Sequence, residues 1–335
     1  MSVLIVGAGL SGATIARVLA DAGVSIDIID KREHIGGNAF DFINQHQIRE
    51  HKYGPHLFHT SNQAVVSFLS RFTKWTFYQH RVKAMLEDGR LVTLPVNIET
   101  SNIVGKENVL DIFFRPYTKK MWGMDLEEID PDIINRVPIR NDDNELYFPN
   151  DTFQGLPSEG YTSMVEKMLD HPLITLKLNT PFENSSLGVY EHCFNSMSID
   201  DFFENIHGRL PYRSIKFHTL SLPVNRFFPV SVVNFTHKEK YTRVTEWKNF
   251  PNNSGSVPFS TLTFEEPCDY VENNYERYYP IKDAKEINRT LYKKYASMTP
   301  NNVTFIGRCG LYAYLNMDQA ISSAMSFAQK YLSTN

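Results

Sequence analysis

The hydrophobic and polar positions near the two ends of the chain predict an α/β arrangement. Residues 3–6 and 24–29 are short apolar runs typical of buried parallel strands, and residues 13–22 between them carry apolar side chains at helical spacing. Near the C-terminus, residues 303–307 form a further apolar run, and residues 317–332 repeat Ala, Ile and Met at helical spacing. The alternation of strands and helices predicts a parallel sheet to which the end of the chain returns.

The middle of the chain follows other patterns. Residues 80–98 alternate between apolar and polar positions around a turn at residues 87–90, which predicts a hairpin, whereas residues 107–136 carry aromatic residues at helical spacing. Residues 137–160 are rich in Pro, Gly and Asn and predict a long loop, which we interpret as a mobile lid. Residues 209–295 contain short aromatic-rich segments separated by Pro, Asn and Gly, which predict an antiparallel sheet.

Candidate chemistry begins in the loop after the first predicted strand, which has the pattern G-x-G-x-x-G. The glycines of this loop are Gly7, Gly9 and Gly12. The first permits a tight turn, the second lets a pyrophosphate approach the backbone, and the third lets the helix pack on the strand. The amides at the helix start, from Leu10 and Ser11, face the phosphates in such a site, and Asp30 after the second strand accepts hydrogen bonds from ribose hydroxyls. A Rossmann-like dinucleotide site is therefore predicted.

The residues after Asp30 bear on which dinucleotide is bound, because NAD and FAD share the glycine pattern. Lys31 follows directly, and the pair Gly36-Gly37 precedes Asn38. A second glycine pair at this place resembles the flavoprotein version of the motif, in which the extended FAD runs past this loop. The alternative is a plain turn at the glycine pair. We therefore predict FAD as the cofactor, with Lys31, Gly37 and Asn38 close to it.

Composition and charge exclude several other classes of protein. The 34 Lys and Arg residues against 38 Asp and Glu residues give a formal charge of −4, so no overall positive field exists for nucleic acid or an anionic membrane. No segment reaches the ~18 consecutive apolar residues of a membrane span, and the N-terminus lacks the features of a secretory signal. The cysteines match no metal-ligand spacing or disulfide framework, which predicts no metal and a reducing, cytoplasmic location; they are Cys193, Cys268 and Cys309.

Ordered motifs along nearly the whole chain resemble one family, the prokaryotic UDP-galactopyranose mutases. After the glycine loop and Gly36-Gly37-Asn38, the matching segments are YGPHLFHT (53–60), FRPYTKKMWG (114–123), FQGLP (153–157), GRLPYR (208–213), YTRVTE (241–246), YYPI (278–281) and residues 307–318. The resemblance implies an isomerase that interconverts the pyranose and furanose forms of a nucleotide-activated hexose, UDP-galactose by default. Such furanoses enter cell-surface polysaccharides.

The resemblance also implies how the cofactor is used. In this family FAD acts in its reduced form without net redox, so an external reductant is needed. Flavin N5 forms a covalent adduct with the anomeric carbon of the sugar, and the ring then opens and recloses on another hydroxyl. The cofactor carries the covalent chemistry, and the protein supplies position, charge and exclusion of water.

Four residues match positions around the substrate diphosphate of the family. Arg140, in the predicted loop, matches the mobile-loop arginine that closes over the diphosphate as leaving group, and Arg308 matches an arginine near the sugar and phosphates. Tyr279 and Tyr314 match tyrosines whose hydroxyls donate hydrogen bonds there. Without the resemblance, the alternatives are a solvated loop arginine, an Arg308–Asp318 pair, and tyrosines in the hydrophobic core.

Other residues match the pocket for the uracil and the sugar. Tyr117 matches the ring that stacks on uracil and Trp122 its neighbour, although aromatic residues five apart in a helix more often pack in a core. Arg243 matches an active-site arginine, with Glu246 as its cross-strand partner in the alternative interpretation. Asn316 occupies a position near the sugar and flavin where the family usually has Asp.

A further set of residues matches positions beside the isoalloxazine of the flavin. His56 and His59 are three residues apart, but no further ligand at suitable spacing supports a metal site, and the family places this segment against the flavin. We count His59 with Arg140 and Arg308 among the catalytic residues, as a neighbour of the flavin. The remaining predicted cofactor contacts are Leu57, Gly307, Arg308, Met317 and Asp318.

Departures from the family leave alternatives open. Phe264 aligns with a second diphosphate arginine, for which only Arg277 is near enough in sequence to compensate. The segment between Pro95 and Tyr117 is shorter than in typical members, and because this region usually helps to form a homodimer, the assembly state stays open. Together with Asn316, these departures keep three alternatives: another UDP- or dTDP-hexose as substrate, an amine-oxidase-like flavin oxidoreductase, and a nucleotide-sugar binding protein without activity.

The patterns and the resemblance together predict an α/β fold of three domains. A Rossmann-like FAD-binding domain is discontinuous, a small, shortened helical domain carries the mobile active-site loop 137–160, and an antiparallel β-sheet domain completes the chain. The predicted ranges are 1–65, 158–205 and 296–335 for the FAD-binding domain, 99–157 for the helical domain, and 66–98 and 206–295 for the sheet domain.

Overall fold

The computed structural model describes residues 2–134, 137–253, 255 and 257–334. Its strands, numbered in chain order, are β1 (Ser2–Val6), β2 (Ser25–Ile29), β3 (Asp41–Ile43), β4 (Arg49–His51), β5 (Phe58–Thr60), β6 (Trp75–Phe77), β7 (Val82–Met85), β8 (Leu91–Leu94), β9 (Phe153–Pro157), β10 (Ile174–Lys177), β11 (His192–Asn195), β12 (Tyr212–Leu222), β13 (Val232–Phe235), β14 (Arg243–Glu246), β15 (Ser260–Asp269), β16 (Tyr279–Pro280) and β17 (Val303–Phe305). Its α-helices are α1 (Leu10–Asp21), α2 (Gln63–Leu69), α3 (Ile98–Val104), α4 (Arg115–Trp122), α5 (Pro131–Ile134), α6 (Tyr161–Leu169), α7 (Ile199–Phe202), α8 (Ile287–Ala296), α9 (Gly307–Gly310) and α10 (Met317–Thr334).

A five-stranded parallel sheet carries the glycine loop. Its strand order is β10-β2-β1-β11-β17, so β1 lies at the centre between β2 and β11. Val3 and Ile5 are fully buried, as expected for a central parallel strand covered on both faces. Helix α1 packs against α10, and β17 pairs with β11. The predicted α/β fold with a returning chain end is therefore confirmed.

A second, seven-stranded sheet has the order β16-β12-β15-β14-β13-β7-β8. The predicted hairpin around residues 87–90 is confirmed, since β7 and β8 pair antiparallel. The antiparallel sheet predicted over residues 209–295 is confirmed by the pairs among β12 to β16. It joins the hairpin through a parallel pair, because β13 and β7 run parallel, with Val232 opposite Val82. These two strands are far apart in the chain, and a long connection can join strands in either direction.

The helical prediction for residues 107–136 is wrong for residues 123–130, and residues 135 and 136 lie outside the described part of the chain. A π-helical turn over Leu110–Phe114 leads into α4, which ends at Trp122. Gly123 follows in the left-handed conformation, with a φ of 69°, and its amide N–H donates to the carbonyl oxygen of Lys119. This glycine closes the helix, and helical structure resumes only at α5.

The loop predicted over residues 137–160 is wrong at Phe153–Pro157, which form a strand. Strand β9 lies there between β5 and β6 in a three-stranded antiparallel sheet. Gly155 suggested a turn, but here it allows close packing: a Cβ on Gly155 would lie 3.2 Å from the carbonyl oxygen of Thr76. Across the described ranges, no helix combines the length and apolar composition needed to cross a membrane.

Candidate active site

The glycine loop joins β1 to α1 at the carboxyl edge of the parallel sheet. Gly7 has a φ of 103°, and a Cβ on Gly12 would lie 1.9 Å from the carbonyl oxygen of Gly7, so both positions require glycine. Gly9 lies against Gly37, on which a Cβ would be 2.9 Å from the Cα of Gly9. Helix α1 has neither an acidic residue in its first turn nor a side-chain cap, which leaves amides from Leu10 onward for an anion.

Asp30 is buried at the end of β2 and holds the glycine loop in place. Its Oδ2 accepts a hydrogen bond from the amide of Ala8 at 2.8 Å, and its Oδ1 accepts one from the amide of Arg32 at 2.9 Å. Arg32 also donates to Oδ1 of Asn38 at 2.9 Å. The side chain of Lys31 is 62% exposed. The structure therefore brings Asp30 and Asn38 together beside the glycine loop and leaves Lys31 at the surface.

The segment before β5 carries the first predicted histidine. Nδ1 of His56 lies 2.9 Å from the carbonyl oxygen of Gly54, to which it donates. Burial, with smaller contributions from nearby groups such as Arg308, lowers the pKa of His56 to about 3. His56 is therefore neutral over the physiological pH range. The next residue, Leu57, packs against the main hydrophobic core.

Arg308 follows β17 and lies next to the glycine loop. Gly307 before it has a φ of 68°, and a Cβ at that position would be 3.4 Å from Oγ of Ser11. The Arg308 guanidinium donates to the carbonyl oxygens of Tyr278 and Leu315, at 3.2 and 2.6 Å. These two hydrogen bonds fix the plane of the guanidinium.

Two stacked tyrosine rings lie under the Arg308 guanidinium. The rings of Tyr279 and Tyr314 have centroids 5.3 Å apart, and Cζ of Arg308 is 4.9 and 5.0 Å from them. The alternative of an Arg308–Asp318 pair is wrong, because Oδ2 of Asp318 accepts from Oγ1 of Thr60 at 2.8 Å. That bond joins β5 to the first turn of α10, which begins at Met317. The tyrosines predicted for the diphosphate are thus brought to Arg308.

The two predicted aromatic residues of α4 lie at the same place. Burial raises the pKa of Tyr117, and Arg243, Tyr279 and Tyr314 are close enough to affect its phenol. Trp122 is buried, with its ring centroid 6.1 Å from that of Tyr279 and 6.3 Å from that of Tyr314. Trp122 therefore packs in a core that forms one side of the tyrosine cluster.

Two cations to which the sequence analysis gave no role fix the end of α4. Nε of Arg213 donates to the carbonyl oxygen of Met121 at 2.8 Å. Burial lowers the pKa of Lys120 to about 8. The Nζ of Lys120 donates at 2.7–2.9 Å to the carbonyl oxygens of Phe235, His237 and Tyr241. These contacts tie the helix that carries Tyr117 to the seven-stranded sheet.

Arg243 forms a buried ion pair across two strands of the seven-stranded sheet. It stands directly opposite Glu265, and its Nε is 2.7 Å from Oε1 of Glu265, without the alignment of a hydrogen bond. Burial opposes the charge of Arg243, but the Glu265 carboxylate outweighs burial and raises the pKa of Arg243. Pairing with Glu246, the alternative interpretation, is wrong, because Glu246 accepts from the amides of Phe227 and Phe228 at 2.7 and 2.6 Å.

The loop before β9 closes around Arg140. This side chain is 9% exposed, and its amide donates to the carbonyl oxygen of Val96 at 2.8 Å. The guanidinium donates to carbonyl oxygens of its own loop, at 3.3, 2.6 and 3.1 Å, from Asn144, Leu146 and Tyr147. The structure therefore keeps Arg140 within its loop and does not join it to Arg308.

The same loop reaches the second predicted histidine. Nδ1 of His59 lies 2.6 Å from Oδ2 of Asp151, and the ring stacks on Phe148 with centroids 3.5 Å apart and planes 9° apart. At the start of α10, the amide of Asn316 donates to Oε1 of Gln319 at 2.9 Å. No group of three or more metal-ligating side chains occurs in the described parts of the chain.

Sequence comparison identifies the family. The family model described as UDP-galactopyranose mutase matches residues 112–314, and that of the NAD(P)-binding Rossmann-like domain matches residues 5–72. A UDP-galactopyranose mutase of Mycoplasma genitalium is 33% identical over 387 residues, covering 99% of this chain and 95% of that relative. The chain belongs to the UDP-galactopyranose mutase family. The protein is thus an isomerase of the mutase type.

Two further comparisons place this UDP-galactopyranose mutase family member among known proteins. A dTDP-fucopyranose mutase of Escherichia coli is 33% identical over 381 residues, covering 99% of each chain. A crystal structure of reduced UDP-galactopyranose mutase superposes with a TM-score of 0.80 at 15% identity, covering 100% of this chain and 96% of the other. The last comparison shows a shared fold.

The structure also locates the residues at which this family member departs from the mutase pattern. Phe264 lies on the face of β15 opposite to Glu265, where its ring packs 5.4 Å from that of Tyr241. Arg277 pairs with Asp201 at 2.7 Å. In the structure, the charge of Arg277 is thus paired with Asp201, and the ring of Phe264 packs beside Tyr241.

Proposed function

We propose that this protein interconverts the pyranose and furanose forms of a hexose bound to a nucleoside diphosphate, with reduced FAD as cofactor and UDP-galactose as substrate. The names of the relatives support this substrate class, since one refers to UDP-galactopyranose and another to dTDP-fucopyranose. A dTDP-hexose is therefore the second candidate substrate. An electron donor outside this chain would reduce the FAD, in the cytoplasm.

The glycine loop fits the diphosphate of FAD. Its glycines place no side chain over the backbone, and the first turn of α1 offers amides without a competing carboxylate. Each oxygen of Asp30 accepts one backbone hydrogen bond and retains a lone pair for a ribose hydroxyl. His56 and His59 would lie near the isoalloxazine. When bound, reduced FAD supplies N5 as a nucleophile for the anomeric carbon.

The observation that carries the proposal is a pair of arginines without carboxylate partners. Among the described residues, neither Arg308 nor Arg140 forms an ion pair with an Asp or Glu, whereas Arg243 is neutralised by Glu265. A partly buried arginine that donates only to carbonyl oxygens keeps its full charge for an anion. Arg308 also lies against the tyrosines Tyr279 and Tyr314. This arrangement suits the diphosphate of a nucleotide sugar beside the flavin.

Arg140 would act by changing its hydrogen-bond partners. Its guanidinium now donates to three neutral carbonyl oxygens, and charged phosphate oxygens are stronger acceptors. Movement of the loop residues 140–147 toward Arg308 would let the Arg140 guanidinium exchange these carbonyl oxygens for phosphate oxygens. The same movement would exclude water from the sugar. In this proposal, Arg140 stabilises the diphosphate when it leaves the anomeric carbon.

The aromatic residues would hold the base and the sugar. Tyr117 projects from α4 toward the tyrosine cluster and offers a ring for stacking on uracil. Trp122 supports that cluster by packing against the rings of Tyr279 and Tyr314. Arg243 and Asn316 would complete the sugar pocket.

The test is to incubate the purified holoenzyme with UDP-galactofuranose, with and without dithionite, and to separate the products by chromatography. We expect conversion to UDP-galactopyranose only when the flavin is reduced. Oxygen consumption without isomerisation would favour an amine-oxidase-like flavin oxidoreductase instead. A parallel incubation with dTDP-fucofuranose compares the two candidate substrates, and binding of UDP without turnover of either sugar would indicate a protein that binds nucleotide sugars but does not convert them.

A further inference from the structure

The imidazole of His59 is held by one segment of the active-site loop. Strand β5 sets its backbone, since His59 is opposite Gln154 of β9. One face of its ring stacks on Phe148, with the ring centroids 3.5 Å apart. Its Nδ1 lies 2.6 Å from Oδ2 of Asp151. The sequence analysis gave Phe148 and Asp151 no role.

A tight turn places both partners beside the ring. The amide of Asp151 donates to the carbonyl oxygen of Phe148 at 3.4 Å, so the two side chains project from one turn. Ser61, which follows β5, contacts the same segment: its Oγ donates to the carbonyl oxygen of Asn150 at 3.4 Å and accepts from the amide of Thr152 at 3.2 Å. The turn is thus fixed to the strand that carries His59.

The contact with Asp151 decides which ring nitrogen of His59 carries hydrogen. An ionised carboxylate can only accept, so Nδ1 of His59 must donate and the neutral ring has its lone pair on Nε2. Nε2 has no hydrogen-bond partner among the described residues, and the side chain is 15% exposed. Nε2 is therefore the nitrogen left for a bound ligand.

We infer that Asp151 is a positioning residue that keeps His59 in the Nδ1–H tautomer and presents Nε2 as an acceptor to the flavin or the sugar. Phe148 fixes the ring plane in the same arrangement. The expected effect on turnover rests on the proposed function, whereas the tautomer of His59 follows from the contact with Asp151 alone. An oriented carboxylate–imidazole pair of this kind is a general way to set the tautomer of a working histidine.

Asp151→Asn tests this role because the amide is isosteric but can both donate and accept. We expect kcat to fall about tenfold or more and KM to change less than about threefold. Asp143→Asn is the matched control, because Asp143 is an exposed carboxylate of the same loop, and it should leave kcat unchanged. In a His59→Gln background, Asp151→Asn should have no further effect on kcat, since its partner is gone.

A second readout does not need turnover. In the holoenzyme labelled with ¹⁵N-histidine, the spectrum of His59→Gln identifies the His59 signals, and the ¹⁵N shifts report which nitrogen is protonated. We expect Nδ1–H in the wild type and loss of that preference in Asp151→Asn. An unchanged tautomer, or an equal loss of kcat in both backgrounds, would overturn the inference. A wild type that converts no nucleotide sugar but shows the expected tautomers would refute only the proposed function.

Discussion

Replacement of Arg308 by lysine tests whether the geometry of this cation, and not only its charge, serves the substrate. The guanidinium bridges the carbonyl oxygens of Tyr278 and Leu315 and lies over the rings of Tyr279 and Tyr314. A lysine has one nitrogen on a flexible stem, so it can reach one carbonyl or one phosphate oxygen but cannot lie flat on two rings.

The magnitude follows from the contacts that Arg308→Lys removes. One charged hydrogen bond is worth about 1.5–3 kcal/mol, and the loss of planar contact with the rings costs about 0.5–1 kcal/mol more. Since about 1.4 kcal/mol corresponds to a factor of ten, kcat/KM should fall by about 30- to 700-fold. The charge itself remains, so activity should not vanish.

The assay measures initial rates with UDP-galactofuranose under dithionite, together with the FAD content and Tm of each variant. Arg209→Lys is the matched control, because Arg209 also lies over a tyrosine ring, that of Tyr275 at 4.9 Å, but at the exposed surface. We expect this control to match the wild type. If kcat/KM of Arg308→Lys is within threefold of the wild-type value, the reasoning is refuted. If the variant instead loses FAD, Arg308 acts in cofactor binding.

Three further predictions use other parts of the structure. Arg140→Ala should lower turnover by at least about tenfold, and an unchanged rate would contradict its role as a clamp. Glu265→Gln should lower the free energy of unfolding by about 3–5 kcal/mol, because it leaves the buried charge of Arg243 without a partner; thermal unfolding measures this, and an unchanged Tm would exclude it. Burial lowers the pKa of His56 and His80 to about 3, against 6.5 in the unfolded chain. Between these values the unfolded chain binds more protons, so stability should fall as the pH drops from 6.5 toward 3; a flat profile of Tm against pH in this range would contradict the burial of these rings.

The parts of the fold that depend on local sequence could be predicted. The central strand, the glycine loop and the terminal strand and helix each have an apolar pattern that needs no information from elsewhere in the chain. Pairing between distant segments could not be read in this way. The parallel contact of β13 with β7 joins segments separated by more than a hundred residues, and only the folded chain sets its direction. Gly155 and Pro157 concealed β9 because both residues are typical of turns.

The candidate site shows the same division. The arginines and tyrosines could be named from motifs, but their partners are set by register. Arg243 and Glu246 are three residues apart in β14, and side chains at that spacing in a strand project from opposite faces. The alternation of side chains between the two faces of β14 therefore argues against a pair of Arg243 with Glu246. The partner that Arg243 does have, Glu265, is brought opposite it by the alignment of β14 with β15. Asp151 likewise reaches His59 through a turn that no short motif describes.

Charge balance connects these partners to the proposed substrate. Glu265 neutralises Arg243, so in the proposed diphosphate site we count the positive charges of Arg308, which is fixed, and of Arg140, which is held in the loop. The diphosphate of a nucleotide sugar carries one negative charge on each phosphate, so Arg308 alone leaves one charge uncompensated. Closure of the loop would supply the second positive charge in a site from which water is excluded, where a lone anion is costly. The diphosphate of the substrate would therefore itself favour the closed loop. A ligand with a single phosphate should leave a smaller fraction of the protein with the loop closed.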